Sequence, residues 1–198
     1  MFSGGRLCGF PWLRIVTENS QCNEFDRQNS IVEEALRLLL AQFPCNAEPS
    51  HVLLKVVVLN QLYSTRINSI DMQPLAEHIA QLGIDTLLAE GSPKAVGLIT
   101  NCSNLRKYLS FASKFCSWHN PTAYPIYDGN ARACLWAYKK QDQFAKFQLQ
   151  DLWYYEKFRV AVVAFSKYYG LDRLTLKQLD KFLWRSGDRI LRETRTEL

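Results

Sequence analysis

The fold of this chain turns on the stretch SFASKFCSWHNPTAYPIYDGNAR, residues 110–132. An apolar segment that carries Lys114 is predicted to be helical as far as Asn120, because the proline at position 121 disfavours helical geometry in the residue before it. A proline-containing loop then leads to Asp128, whose side chain is suited to cap the next helix. The stretch therefore predicts a helix, a loop and a capped helix. It also raises the question of whether Lys114 and Asp128 take part in one catalytic reaction.

Helical spacing also dominates the N-terminal half of the chain. Ser30 and Glu33 have the spacing of a capping box, and the helix that follows is predicted to bury a set of apolar residues, namely Val32, Ala35, Leu36, Leu39, Leu40 and Phe43. The segment PSHVLLKVVVLNQLYSTRI is apolar on nearly all sides as far as Leu62, which favours a central buried helix. A strand over residues 56–58 is the alternative, since β-branched residues favour strands.

Shorter helical segments lie on both sides of the opening stretch. DMQPLAEHIAQLG predicts a helix with Pro74 in its first turn, and SPKAVGLIT predicts one that Ser92 caps. SNLRKYLSFASKFCSWHN predicts one long helix that includes the opening stretch. Near the C-terminus, LWYYEKFRVAVVAFSKYYG predicts a helix that ends at Gly170, and the last helix is predicted to begin at Thr175, with Gln178 as the partner in its capping box.

No alternation of apolar and polar residues is long enough to predict a sheet. A chain of 198 residues that is 47% hydrophobic can bury a sizeable core. We therefore predict an all-α protein, a single helical domain over residues 1–198 with two lobes. The core lobe is predicted to span residues 29–138, and a basic C-terminal lobe residues 139–198.

Charge is distributed unevenly along the chain. The formal net charge is +5, and residues 1–138 hold 11 basic and 11 acidic side chains, so the excess lies in residues 139–198, with 13 basic and 8 acidic. The window from Gly91 to Tyr127 contains no acidic residue. Such a distribution suits an anionic partner such as nucleic acid, although a solvated basic surface gives the same count.

Cysteine and histidine spacing predicts no metal site. The six cysteines form no CxxC pair, and His51, His78 and His119 are too scattered to act together as ligands. The cysteines are expected to be mostly buried free thiols. No apolar run approaches the length of a spanning helix, and the N-terminal residues suit neither a signal peptide nor an anchor, so we expect a cytoplasmic protein.

The order of these parts resembles the helix-hairpin-helix DNA glycosylase superfamily. The resemblance covers roughly residues 50–138: a buried helix with Asn60–Gln61 near its end, two short helices, a hairpin at ITNCSN, a lysine-bearing helix, and the loop NPTAYPIYD that ends on Asp128. Enzymes of this kind remove damaged bases, and the lysine-bearing ones also cleave the strand at the abasic site. The resemblance implies a two-lobed helical fold, duplex DNA as partner, and no cofactor.

The resemblance implies that Lys114 or Lys107 is the nucleophile and that Asp128 is its carboxylate partner. The two lysines are seven residues apart, so a single helix would carry both on one face. An attacking lysine must be neutral, and burial among Phe111 and Phe115 is expected to lower the pKa of Lys114. A helix N-terminus, in contrast, favours the ionised form of Asp128.

Other residues are candidates to bind the DNA. Side chains that could read or stack on a flipped base lie at the end of the buried helix and around the loop: Asn60, Gln61, Tyr63, Trp118, His119, Tyr124 and Tyr127. His119 could instead cap the end of its helix. Side chains at the hairpin and on the following helix could bind the phosphate backbone: Asn101, Ser103, Arg106 and Arg132.

Three other interpretations are open. Lys114 could be a solvated residue of an amphipathic helix, with Asp128 only a cap. The hairpin has no glycine to let its backbone approach a phosphate, which favours a nucleic-acid-binding module without catalysis, in a defence or regulatory system. A helical protein-interaction domain would instead have an exposed apolar patch near Trp153, Tyr154 and Tyr155.

Overall fold

A computed structural model describes residues 30–102 and 107–196 of the chain. These residues contain helices and no β-strand, which confirms the all-α prediction for them. In chain order the elements are α1 (residues 30–42), α2 (Pro49–Tyr63), α3 (Ser69–Gln81), α4 (Asp85–Ala89), α5 (Lys94–Thr100), α6 (Leu109–His119), α7 (Gly129–Asp142), a 3-10 helix (Leu149–Trp153), α8 (Tyr155–Tyr168) and α9 (Leu176–Thr196).

The described residues form two compact units. The first unit, residues 30–127, contains α1 to α6 and the loop that follows α6, and the second, residues 128–196, contains α7 to α9. Across these ranges, no helix combines the length and the apolar character that crossing a bilayer requires.

The core of the first unit is built around α2. This helix packs against α3 and α6, and its buried face holds Val52, Val56 and Leu59. Residues 56–58 are helical, so the alternative of a strand is wrong. The opposite side of α2 is less covered, and Leu54 and Val57 are exposed.

The second unit has an aromatic core between α7, α8 and α9. Tyr138 of α7, Phe165 of α8 and Phe182 of α9 are all buried, and the rings of Phe165 and Phe182 are stacked with their centroids 6.1 Å apart. Helices α7 and α9 approach so closely at Gly187 that a Cβ atom there would lie 1.9 Å from the carbonyl oxygen of Asn130. A side chain at position 187 would therefore collide with the backbone of α7.

Several helix ends in the second unit agree with the sequence. The Asp128 carboxylate accepts a hydrogen bond from the Ala131 amide at 2.7 Å, so the predicted cap of α7 is confirmed. Thr175 and Gln178 bond reciprocally, as the predicted capping box requires. Gly170 follows α8 with a φ of +66°, a left-handed geometry that glycine adopts without strain.

Other boundaries differ from the prediction. Helix α3 begins at Ser69, so Pro74 lies in its interior rather than in its first turn. Helix α1 is described from Ser30 onward, so the predicted capping box at its start stays a prediction, and of its predicted apolar face only Leu36 is fully buried. Neither α4 nor the 3-10 helix was predicted, because each has only 5 residues, too few to show a helical spacing of apolar residues.

The prediction that Lys107 and Lys114 share one helix face is wrong. Helix α6 begins at Leu109, and Lys107 precedes it in irregular backbone. Tyr108 is buried just before the helix, and its hydroxyl donates to the Asp71 carboxylate at 2.5 Å. The sequence pattern predicts that the helix extends through this position. The contact with α3 instead holds Tyr108 outside the helix.

Candidate functional site

Helix α6 places Lys114 in a buried environment. Only 6% of the residue is exposed, and its neighbours Phe111 and Phe115 are completely buried. Its Nζ donates a hydrogen bond at 2.7 Å to Oγ of Ser110, which lies one helical turn earlier. The lysine is therefore not the solvated residue of the simpler interpretation, although the lowered pKa expected for it stays a prediction. Lys107, in contrast, is exposed.

The loop after α6 is fixed to the first unit by hydrogen bonds. Ser113 Oγ accepts from the Tyr127 amide at 3.0 Å and donates to the Tyr127 carbonyl at 3.3 Å. The Tyr124 hydroxyl donates toward the carbonyls of Leu87 and Ser92, at 2.8 and 2.9 Å. Both tyrosines are buried, so these contacts give them a structural role, while their predicted role in binding a base stays a prediction.

The second unit begins with Asp128 and the first turn of α7. One turn along, the Arg132 guanidinium lies over the Trp153 ring, 4.3 Å from its centroid. Arg132 was predicted to bind the phosphate backbone, and a cation held against an aromatic face keeps its charge for such a contact. Of the other predicted phosphate contacts, Asn101 is exposed at the end of α5, and Ser103 and Arg106 lie outside the described residues.

Two of the three polar side chains at the end of α2 form hydrogen bonds within the first unit. The Asn60 side chain accepts hydrogen bonds from the Thr65 hydroxyl and the Ile67 amide and donates to the Ile67 carbonyl, so it organises the turn after the helix. Tyr63 accepts from the Trp118 indole N–H at 3.0 Å, and burial raises the pKa of its hydroxyl. Gln61 is exposed. Their predicted roles in binding a base stay predictions.

A buried polar cluster that the sequence reasoning missed lies in the first unit. Lys55 of α2 is fully buried, and its Nζ donates to the Asn46 side-chain oxygen at 2.8 Å and to the Cys45 carbonyl at 3.0 Å. Asn46 in turn donates to both carboxylate oxygens of Asp85, from its backbone at 3.0 Å and its side chain at 2.6 Å. The chain Lys55, Asn46, Asp85 ties α2, the loop before it and the start of α4 together. We name these three residues the Lys55 cluster.

Electrostatics make the Lys55 cluster unusual. Removal from water lowers the pKa of Lys55 to about 8, and the negative charge of Asp85 offsets part of that effect. The one sequence signal was that Lys55 lies three residues after Val52 and four before Leu59, within the apolar face of its helix. A lysine at such a position must either be neutral or have hydrogen-bond acceptors inside the protein.

His119, the last residue of α6, is partly buried near the same charges. Its Nε2 is shielded from solvent and has no hydrogen-bond partner among residues 30–102 and 107–196, and its ring lies 4.9 Å from that of Phe115. Burial, followed by the positive charge of Lys55, lowers the pKa of His119 to about 4, and Asp85 opposes the shift. The C-cap of the helix is Asn120, not His119, and its amide donates to the Cys116 carbonyl.

This burial predicts that acid destabilises the protein through His119. Its folded pKa of about 4 is below the unfolded value of 6.5, so the unfolded chain binds more protons between these pH values. Stability should therefore fall as the pH drops through this window, by about 3 kcal/mol in all. In urea unfolding followed by circular dichroism, His119→Phe should flatten the pH dependence, whereas His51→Phe should leave it unchanged. An unchanged slope in His119→Phe would contradict this account.

The described residues give no sign of a metal centre. Within residues 30–102 and 107–196, no group of three or more histidine, cysteine, aspartate or glutamate side chains is placed to hold a metal ion. The cysteines in these ranges are free thiols: Cys45, Cys102, Cys116 and Cys134. Only Cys116 and Cys134 are buried, so the expectation of mostly buried thiols is met by half of them.

Fold and site together define an all-α protein of two helical units with buried lysines in the first of them. Residues 17–123, more than half of the chain, match the family described as HI_0787_N, N-terminal domain, and the chain belongs to this family. It is also similar to an uncharacterized protein of Haemophilus influenzae (strain ATCC 51907 / DSM 11121 / KW20 / Rd). The two are 32% identical over 188 residues, which cover 88% of this chain and 89% of the relative. No solved structure matches the chain.

Proposed function

We propose that this protein binds duplex DNA and removes a damaged base, with the Lys114 amine forming a Schiff base with the sugar. The observation that supports this most is the environment of Lys114, which is nearly buried on α6 with its Nζ held by Ser110 Oγ. An amine removed from water loses its proton more easily than a solvated one, and only the neutral amine can attack. The exposed Lys107 lacks that environment.

The reaction would begin with attack of the neutral Lys114 Nζ on C1′ of the damaged nucleotide. A C–N bond to the lysine forms, the bond between C1′ and the base breaks, and the base leaves with that electron pair and takes up a proton. Opening of the sugar ring gives an iminium, loss of a C2′ proton expels the 3′ phosphate, and water releases the lysine. A carboxylate would stabilise the positive charge on the sugar, and Asp128 is the residue that the resemblance implies for this role.

DNA is the proposed partner because of the resemblance and the charge pattern. The window without acidic residues from Gly91 to Tyr127 includes α5, α6 and the loop after it, so no carboxylate of this window repels a phosphate chain. Binding that depends on phosphate contacts should weaken steeply as salt rises.

Trapping with borohydride tests the proposed chemistry. A duplex with an abasic site or an oxidised purine is mixed with the protein, and reduction should convert the Schiff base into a stable covalent adduct. Lys114→Ala should reduce the adduct by at least about 100-fold, because no other amine takes its place in the reaction. Lys107→Ala is the matched control and should retain the adduct, while Asp128→Asn should slow its formation by about 100-fold.

The outcomes separate the alternatives. An adduct that survives Lys114→Ala but is lost in Lys107→Ala would move the nucleophile to Lys107. The absence of an adduct on every substrate would contradict the proposed chemistry. Sequencing of the reduced adduct by mass spectrometry identifies the modified lysine directly.

A second function, nucleic-acid binding without catalysis, is favoured by the surface of α9. Lys177, Lys181 and Arg185 recur every four residues and so lie on one face of this helix, with the exposed Trp184 beside them. Cations and an aromatic ring in this arrangement suit a phosphate backbone and a stacked base. Salt-dependent DNA binding without any adduct would support this function.

A further inference from the structure

One face of α8 is apolar, exposed and bounded by opposite charges. Val160 and Val163 are 68% and 44% exposed, and the exposed residues Glu156 and Lys167 continue the same line on either side. The four residues are spaced by four, three and four positions, the spacing of a coiled-coil seam. The other side of α8 is buried in the second unit through Phe158, Val162 and Phe165. We name the line of Glu156, Val160, Val163 and Lys167 the α8 seam.

The α8 seam is symmetric about its centre. Glu156 stands as far before Val160 as Lys167 stands after Val163. If two such helices lie antiparallel, a two-fold axis between the valines brings Val160 of one copy onto Val163 of the other. The same axis brings Glu156 of each copy next to Lys167 of the other, so each charge meets its opposite.

We infer that α8 is an interface at which two copies of this chain associate through the antiparallel α8 seam. The charges of the seam are available for this, since neither Glu156 nor Lys167 forms an ion pair within the described part of the chain, whereas the neighbouring Lys157 is engaged by Asp151 at 2.7 Å. Binding of a different protein would not require the α8 seam to be complementary to itself. Self-complementarity is therefore the feature that selects a second copy.

The size of the α8 seam sets the strength of the association. A helix of 14 residues is about 21 Å long and offers four seam positions. Such a contact falls below the roughly 1,200 Å² that stable complexes bury, so the dimer should be weak, with a dissociation constant of about micromolar or higher. It should form as the protein concentration rises and dissociate on dilution.

Charge reversal tests this interface without changing the core. Sedimentation velocity over a range of protein concentrations should show a monomer–dimer equilibrium for the natural chain. Glu156→Lys or Lys167→Glu should each weaken it by about tenfold or more, because the two-fold axis makes every substitution act twice. Lys140→Glu, a charge reversal at an exposed position of α7, is the matched control and should leave the equilibrium unchanged.

The decisive result is recovery of the dimer when complementary charge reversals are combined. Glu156→Lys and Lys167→Glu proteins that fail to dimerise alone should associate when mixed, and the double variant should dimerise by itself, because both arrangements again oppose unlike charges. Val160→Glu should abolish the dimer while circular dichroism stays unchanged. A monomer at every concentration, or a dimer that is indifferent to the reversals, would overturn the inference. None of these results depends on DNA or on Lys114.

Discussion

Replacing Gly187 by alanine is expected to lower the free energy of unfolding by about 3 kcal/mol. The new Cβ would lie 1.9 Å from the Asn130 carbonyl oxygen and 2.8 Å from the Asn130 Cα. Both are backbone atoms, so no change of side-chain rotamer relieves the collision, and α7 and α9 must separate. Alanine favours a helix by about 1 kcal/mol over glycine, which is too little to offset the loss of packing along two helices.

Thermal unfolding measures this effect. For a protein of this size, the loss should appear as a fall in Tm of about 6 to 12 °C. Gly129→Ala is the matched control, because Gly129 is next to Asn130 and nothing lies within 4 Å of the Cβ it would gain. Equal stability of the two variants would show that α7 and α9 are farther apart than described.

Removing Asp85 is expected to have a similarly large effect, through Lys55. Asp85→Ala leaves the buried amine without its counter-charge and leaves the donors of Asn46 without their acceptor. We expect a loss of about 3 kcal/mol, because the charge of the buried amine is then no longer offset and the Asn46 donors are unsatisfied. Glu90→Ala, which removes an exposed acid from the end of the same helix, should change stability little.

The pH dependence identifies the cause of that loss. The folded pKa of Lys55 is about 8 and the unfolded value 10.5, so the unfolded chain binds more protons between them and stability rises with pH across this window. Asp85 supports the charged form of Lys55, so its removal should cost most below about pH 8 and less above it. Lys55→Met added to Asp85→Ala should recover stability, whereas a pH-independent loss would exclude the amine as the cause.

Local chemistry was enough to predict the helix ends that depend on neighbouring residues. The cap by Asp128, the reciprocal bonds of Thr175 and Gln178, and the left-handed Gly170 each involve residues within one turn. The start of α6 could not be predicted in this way. It depends on Tyr108 reaching Asp71, a residue 37 positions earlier on another helix.

In the candidate site, too, features that depend on neighbouring residues could be predicted, and contacts between distant residues could not. Lys114 was singled out from the apolar residues around it, and the structure does bury it. The Lys55 cluster was missed because its three members are distant in sequence, with Asn46 and Asp85 separated by 39 positions. Composition and periodicity detect a lysine among valines, but they do not reveal which distant side chains will accept its hydrogen bonds.

The Lys55 cluster also has a consequence for how this family can diverge. Each member satisfies the next, so a single replacement leaves a buried charge or a buried donor without its counterpart. A substitution at one of these positions would therefore be tolerated only together with substitutions at the other two. In an alignment of descendants, Lys55, Asn46 and Asp85 should be inherited or exchanged as one set.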